Sequence, residues 1–333
     1  MIDVPIYEER SNSVANRSVL SLSCLDQHTV QQLVQRSVEF AAGVETNPCR
    51  GMIVGICFLR PSTRTRSAFT CGALKLGAKT VTYGASDLQL STGETYEDTG
   101  RVLSGYLDAL VIRTNGPQAD MEALARQGEM PVVNAMSAEE HPTQALADLA
   151  TMQEHFGRLE NLHVLYLGEG NNSASALALG LGHFPNNRLT LMTPPNAGLA
   201  LDTLARAQSQ AWVNGTEIVA FDDLRDLPTD VDVVYTTRWQ TMGVPKADPN
   251  WHQAYKPYGV NTEILGKVSR NSRTIFMHDL PAVRGDDVTS EVLDGVQSVA
   301  WRQARYKMWS AMAVLEFCTS AVKLAPAMKL AVA

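Results

Sequence analysis

Long apolar runs are missing from this sequence. None reaches the roughly 18 residues that a membrane-spanning helix requires, and no basic stretch followed by an apolar core opens it. A cytoplasmic protein is therefore expected. Cysteine is scarce too. The five present, Cys24, Cys49, Cys57, Cys71 and Cys318, form no Cys-x-x-Cys pair and have no histidine at ligand spacing. That pattern argues against a disulfide framework and a metal site, and for reduced thiols that mostly serve packing. Positive charge is in short supply: 28 Lys and Arg stand against 35 Asp and Glu, a net charge of −7. Neither nucleic acid nor an anionic membrane is then expected as a partner. A small anionic substrate stays open, because a few local arginines decide that. The dinucleotide fingerprint is incomplete. Gly168-Glu169-Gly170-Asn171-Asn172 lacks the third glycine, and no acidic residue closes a following strand at the expected distance. Those asparagines either meet a polar substrate group or shape the turn. Internal repeats and low-complexity segments are absent as well.

What is present is an ordinary globular composition, 45% hydrophobic and 19% charged over 333 residues, enough for two domains. Residues 31–40 read as an amphipathic helix with Asp26 as a possible cap. Buried-type strands follow at 52–58, 108–113 and 131–134, with a β-rich stretch at 79–83 and helices at 95–106 and 144–155. The pattern restarts near 157–161, with strands at 162–167, 188–192, 217–220, 231–235 and 274–277 and a helix over 175–181. Strand–helix alternation of this kind gives an α/β fold of two domains, each a mostly parallel sheet flanked by helices, joined by interdomain helices. The first domain is expected over 1–150 and the second over 151–303, with a final helix, 304–322, packing back on the first.

One stretch carries most of the chemistry. The apolar strand ending at Phe58 leads into Ser62-Thr63-Arg64-Thr65-Arg66, and then apolar residues at helical spacing run to a stop at Gly77. A helix start already favours anions through its free N–H groups and dipole. Hydroxyls and two guanidiniums added there make a phosphate cradle. The plain alternative is a cap followed by solvated surface arginines. Arg113 ends an otherwise apolar strand, and a buried guanidinium requires an anion nearby. His141-Pro142-Thr143-Gln144 opens a helix with proline at its first position. The imidazole there can donate to a developing oxyanion, and the amide can accept from an NH2 group; the alternative is a capped helix with an incidental histidine. The stretch from Thr236 to Gly243 suits a substrate loop, or a surface loop with Trp239 turned inward. In His278-Asp279-Leu280-Pro281, Leu-Pro would aim a backbone carbonyl at the crevice, with a cis bond conceivable.

Taken together and in that order, Ser62-Thr63-Arg64-Thr65-Arg66, His141-Pro142-Thr143-Gln144 and His278-Asp279-Leu280-Pro281 resemble the aspartate/ornithine carbamoyltransferase family over residues 18–320. The resemblance implies a carbamoyl phosphate domain followed by an amino-acid domain, and a homotrimer with active sites shared between subunits. It implies that Ser62, Thr63, Arg64 and Thr65 bind the phosphate. Arg113, His141 and Gln144 would hold the carbamoyl group, and the Leu280 carbonyl its NH2. Gln89 and Lys307 would also contact carbamoyl phosphate. The chemistry agrees independently. An amine attacks a carbonyl carbon, an oxyanion forms and phosphate leaves, which takes positioning and charge neutralisation rather than a metal or cofactor. Thr65, Arg113 and His141 are the natural oxyanion donors, with Arg64 on the leaving group.

Gln89, Gly168-Glu169-Gly170-Asn171-Asn172, Met242-Gly243 and the segment from Met277 to Gly285 resemble the ornithine branch. Arg238 and Gln240 resemble the aspartate branch, whose loop lysine is missing here. Three positions depart from the ornithine pattern, which has aspartate where Thr237 stands, serine where Thr241 stands and cysteine where Asp279 stands. Lys307 stands where that pattern has an arginine, keeping the charge and losing the fork. A carbamoyltransferase with a changed acceptor is expected, acting on ornithine or another diamino acid through Asn172, Thr237, Arg238, Gln240, Thr241, Met242 and Asp279. Aspartate is the alternative acceptor. An inactive regulatory or binding relative is a further alternative, opposed by the intact Ser62, Thr63, Arg64, Thr65, Arg113, His141 and Gln144.

Overall fold

Two all-parallel sheets, one in each half of the chain, organise the computed structural model, which describes residues 17–240 and 246–320. The first half runs α1 (Gln27–Ala41), β1 (Ile53–Phe58), α2 (Arg64–Lys75), β2 (Lys79–Tyr83), α3 (Tyr96–Ser104), β3 (Ala109–Arg113), α4 (Gln118–Ala125), β4 (Val132–Asn134) and α5 (Pro142–Phe156). The second runs β5 (His163–Leu167), α6 (Asn172–Leu181), β6 (Arg188–Met192), α7 (Leu201–Trp212), β7 (Glu217–Phe221), β8 (Val233–Thr236), α8 (Trp251–Tyr255), α9 (Thr262–Val268), β9 (Ile275–His278) and α10 (Ser290–Leu293). A long last helix, α11 (Ala300–Thr319), closes the described chain.

The strand orders are β2-β1-β3-β4 and β7-β6-β5-β8-β9. Each order reverses once, between β1 and β3 and between β5 and β8. Connections on the two sides of such a switch point lead away from one another and leave a crevice beyond the strands' C-terminal ends. Register then decides which residues meet there. Phe58 pairs with Arg113, and Thr236 with His278.

α5 joins the halves. Every residue from 142 to 152 is buried, because the helix lies between α1, α6 and α11 and turns no face to water. The apolar core is continuous across it, with Ile56 and Phe69 in the first half and Val164 and Leu177 in the second belonging to one cluster. Close approach requires small residues at two contacts. A Cβ on Gly180 would come within 3.1 Å of Leu149, and one on Gly72 within 3.1 Å of Met312. α11 packs on α2, α1 and α5. There Arg36 Nε donates to Glu316 at 2.5 Å.

Several boundaries move from those the sequence suggests. α11 starts at residue 300 rather than 304, because 297–299 dock on β9: Gln297 accepts from Phe276 N–H at 2.8 Å, and Val299 N–H donates back to Phe276 at 2.9 Å. α6 starts at Asn172 rather than 175, since Asn171 caps it. β8 starts at Val233 rather than 231, because Val231 forms only an isolated bridge with Ser269. α4, α7, α8, α9 and α10 are not anticipated at all. α7 buries only Thr203, Ala207 and Ala211, with Leu204 half-buried beside them, and exposes Leu201 and Trp212, so the face it turns inward is made mostly of small residues. Cys49, Cys57 and Cys318 are buried, while Cys24 and Cys71 are exposed.

Candidate active site

The crevice gathers the ends of β1, β3, β8 and β9 and the starts of α2, α5 and α6. It is small, about 70 Å³, and a groove of about 710 Å³ along α1 and α11 is ten times larger. Charge and unpartnered polar atoms, not volume, single out the smaller space.

At its anionic end, α2 begins without a side-chain cap: Thr63 at the cap position is itself helical, at φ −78° and ψ −53°. The N–H groups of the first turn are thereby left for a ligand. Ser62, Thr63, Arg64 and Thr65 all line the crevice beside that helix start. Arg113, 6% exposed at the end of β3, donates from Nη1 to Ser62 Oγ at 3.3 Å, and its Nε has no partner. Burial first, and the neighbouring Arg64 second, bring its pKa down to about 10. Burial also lowers Arg64, with Asp279 opposing. A third cation, Lys307 on α11, is buried in the same wall, and desolvation pulls its ammonium down to about 8.

His141 and Gln144 enter from α5. His141 N–H donates to Asn172 O at 3.1 Å, which ties the α5 start to the second half of the chain. Burial, then Lys307 and Arg113, hold its imidazole well below the usual histidine range, so it is neutral near pH 7. A neutral ring retains an N–H donor. Gln144 is turned by Asp148, which accepts from its Nε2 at 2.7 Å. The other amide atom, Oε1, is buried without a partner in the crevice wall.

The far end is built by α6, β8 and β9. The register that pairs Thr236 with His278 sets Thr237 beside Asp279. Thr237 Oγ1 donates to the two Asp279 oxygens at 3.0 and 3.2 Å, and Ser173 Oγ donates to Oδ2 at 2.8 Å. Asn171 donates from Nδ2 to Thr237 at 3.2 Å, and Asn172 from Nδ2 to Ser137 O at 2.8 Å. Arg238 and Gln240 line the same end. Leu280 has a left-handed backbone at φ 55° and a cis bond to Pro281, and its N–H donates to His278 Nδ1 at 2.8 Å.

Of the residues singled out in the sequence, the chain thus brings together Ser62, Thr63, Arg64, Thr65, Arg113, His141, Gln144, Asn172, Thr237, Arg238, Gln240, Asp279, Leu280 and Lys307. Gln89 is not among them. It lies on an exposed 3-10 turn, where Thr92 Oγ1 donates to its main-chain O and to its Oε1. Arg66 is an exposed surface arginine. Trp239 turns inward, 2% exposed against Tyr255 and His252. Asn171 shapes the turn by capping α6. Thr241 and Met242 lie outside the described residues. Sequence reasoning missed Ser173 and Asp148. The only linear signal was for Asp148, one helical turn after Gln144.

Comparison with known proteins gives a consistent picture. Residues 17–154 match the aspartate/ornithine carbamoyltransferase carbamoyl-P binding domain, and residues 160–318 the family's Asp/Orn binding domain. An ornithine carbamoyltransferase of Synechocystis is 35% identical over 303 residues, covering 91% of this chain and 96% of its own. One from Oceanobacillus iheyensis is 37% identical over 273 residues, covering 82% and 84%. Among solved structures, ornithine carbamoyltransferase from Pyrococcus furiosus superposes with a TM-score of 0.85 at 32% identity, covering 92% of this chain and 97% of its own. The Gloeobacter violaceus enzyme gives 0.81 at 32%, covering 91% and 98%. With both halves matched and a helix-start cradle, a neutral histidine and an unpartnered amide oxygen in one crevice, the chain belongs to the aspartate/ornithine carbamoyltransferase family.

Proposed function

We propose that this crevice transfers the carbamoyl group of carbamoyl phosphate to the amine of ornithine or another diamino acid, releasing phosphate and a ureido product. The observation that carries the proposal is the convergence of Arg64, Arg113 and Lys307, three cations that face Asp279 as a shared carboxylate, on the open start of α2. Ser62, Thr63, Arg64 and Thr65 take the phosphate. Gln144 Oε1 and the Leu280 carbonyl accept from the carbamoyl NH2. The acceptor nitrogen attacks the carbonyl carbon, and Thr65, Arg113 and His141 stabilise the oxyanion that forms. The C–O bond to phosphate then breaks with its electron pair on phosphate, which takes the last proton from nitrogen. Charge neutralisation comes from side chains, so the step needs no metal or cofactor.

On the acceptor side, Asp279, supported by Thr237 and Ser173, receives an ammonium, while Arg238 with Gln240 and Asn172 receives a carboxylate. Thr241 and Met242, next in the sequence, contribute to the same acceptor. Aspartate as acceptor is favoured by Arg238 and Gln240 in the crevice wall, but Asp279 would repel its second carboxylate. Gln89, exposed on its own chain, serves the crevice of a neighbouring copy in a homotrimer with shared sites. The first-half residues up to about 150, together with α11, form the carbamoyl phosphate domain, and 151–303 the acceptor domain. No described helix is long and apolar enough to cross a membrane; we place the reaction in the cytoplasm. With ¹³C-labelled carbamoyl phosphate and ornithine, the label is expected in a ureido product in equal amount to the phosphate released. Phosphate release at the same rate without any amine would contradict transfer.

Lys307 gives the site a basic limit. Its ammonium, depressed to about 8, is charged below that pH and neutral above it. Carbamoyl phosphate affinity is then expected to fall with rising pH beyond about 8, by up to about tenfold per pH unit for one proton. In K307R the fall between about pH 8 and 9, below the range where Arg113 loses its charge, should vanish; its persistence there would assign the limb to another group.

A further inference from the structure

We propose that Asp148 is the positioning residue through which this site selects an NH2 group over a methyl group on the acyl phosphate, an inference that rests on the function proposed above. Asp148 is 0% exposed and stands behind the crevice wall without lining it. Its Oδ1 accepts from Gln144 Nε2 and from Gln303 Nε2, each at 2.7 Å, and its Oδ2 accepts from Tyr235 OH at 3.0 Å. An ionised carboxylate only accepts, so both amides must present their NH2 ends to it. Their oxygens are thereby fixed on the other side.

Each oxygen bears on the same substrate atom. Gln144 Oε1 is left buried and unpartnered in the crevice wall. Gln303 Oε1 accepts from His278 N–H at 2.8 Å, and His278 Nδ1 in turn accepts from Leu280 N–H at 2.8 Å. The chain of contacts from Asp148 thus sets the Gln144 amide and the Leu280 turn, the two acceptors assigned to the carbamoyl nitrogen. If the Gln144 amide were reversed, its N–H donors would face the donors of the carbamoyl NH2. Asp148 forbids that orientation. Acetyl phosphate, which carries a methyl group in the same place, leaves both oxygens without a donor. A buried acceptor left unpaired weakens binding by roughly ten- to hundredfold.

The test compares Kd for carbamoyl phosphate, acetyl phosphate and inorganic phosphate. It is run at pH 8, since burial raises Asp148 to about 7 and the carboxylate form is needed. In D148L, Gln144 is free to turn, and the preference for carbamoyl over acetyl phosphate should fall about tenfold. In D148N, whose amide admits either orientation of Gln144, it should fall about threefold. Because Asp148 also supports the charge on Lys307, its loss should weaken inorganic, carbamoyl and acetyl phosphate together, an effect that cancels in the preference for carbamoyl over acetyl phosphate. Y235F, which leaves both amide contacts in place, should keep the full preference. An unchanged preference in either folded Asp148 variant, with inorganic phosphate still bound, would overturn the inference alone. A wild-type protein that binds carbamoyl phosphate no better than inorganic phosphate would overturn the proposed function with it.

Discussion

Replacing Arg113 with methionine is expected to lower kcat/KM for carbamoyl phosphate by about 10³-fold or more, while raising thermal stability. The activity loss follows from the loss of one oxyanion donor, which alone is worth about 10²–10³, together with a phosphate-facing charge. The gain in stability follows from how poorly the guanidinium is compensated. It is 6% exposed, and among the described residues its side chain makes a 3.3 Å bond to Ser62 and finds no partner for Nε. Its lowered pKa has the same origin, and Arg64 adds repulsion. A methionine of similar length removes a buried charge, a change that is neutral or stabilising by about 1–4 kcal/mol. Functional sites often carry such a cost in stability. Steady-state kinetics and a melting curve decide the matter. A variant that melts lower and keeps its activity would make Arg113 a structural residue.

Replacing Asp279 with alanine is expected to reduce kcat/KM for the acceptor by about 10²-fold, with KM for carbamoyl phosphate changed far less. Asp279 is held by two hydroxyls, Ser173 at 2.8 Å and Thr237 at 3.0 and 3.2 Å, and among the described residues no Lys or Arg pairs with it at salt-bridge distance. Neutral hydroxyls leave the carboxylate's charge available to an incoming ammonium. The contact with Thr237 offers a sharper form of the test. Because the two side chains touch, T237D combined with D279S returns a carboxylate to the same locus from the other strand. That pair should recover at least about tenfold of the loss, the coupling expected between contacting residues. Asp279 also supports the charge on Lys307, so D279A should move the basic limit to lower pH. If D279A left the acceptor's kinetics untouched, the carboxylate would have no part in acceptor binding.

The parts of the site that were legible in the sequence are those where one local signal coincides with one chemistry. Ser62 to Thr65 sit at a strand-to-helix junction that period and composition reveal, and Arg113 stands out as a charge at the end of a strand buried at every position. Proline at the start of α5 marks His141 in the same way. What stayed hidden depends on register between distant segments. Thr237 and Asp279 are 42 residues apart; the resemblance to the family points to both positions, and the β8–β9 pairing shows that the Thr237 hydroxyl donates to the Asp279 carboxylate. Ser173 reads as one more small residue in a helix until that carboxylate arrives opposite it. Asp148 looks like a routine acid on a helix, because the Gln303 that shares it comes from α11, 155 residues on. Of the helices missed, α4 and α7 bury few or mostly small residues, and α8, α9 and α10 are too short to show a helical period. The early start of α11 has a tertiary cause in the docking of 297–299 on β9.

The most direct test of the whole account is the transfer assay run against a panel of amines: ornithine, lysine, shorter diamino acids, putrescine and aspartate, with phosphate followed and products identified by mass. A diamino acid should be carbamoylated fastest, ahead of putrescine, which has no carboxylate for Arg238, and of aspartate, which Asp279 repels. Aspartate as the best acceptor, or no carbamoylated product from any amine despite bound carbamoyl phosphate, would contradict it.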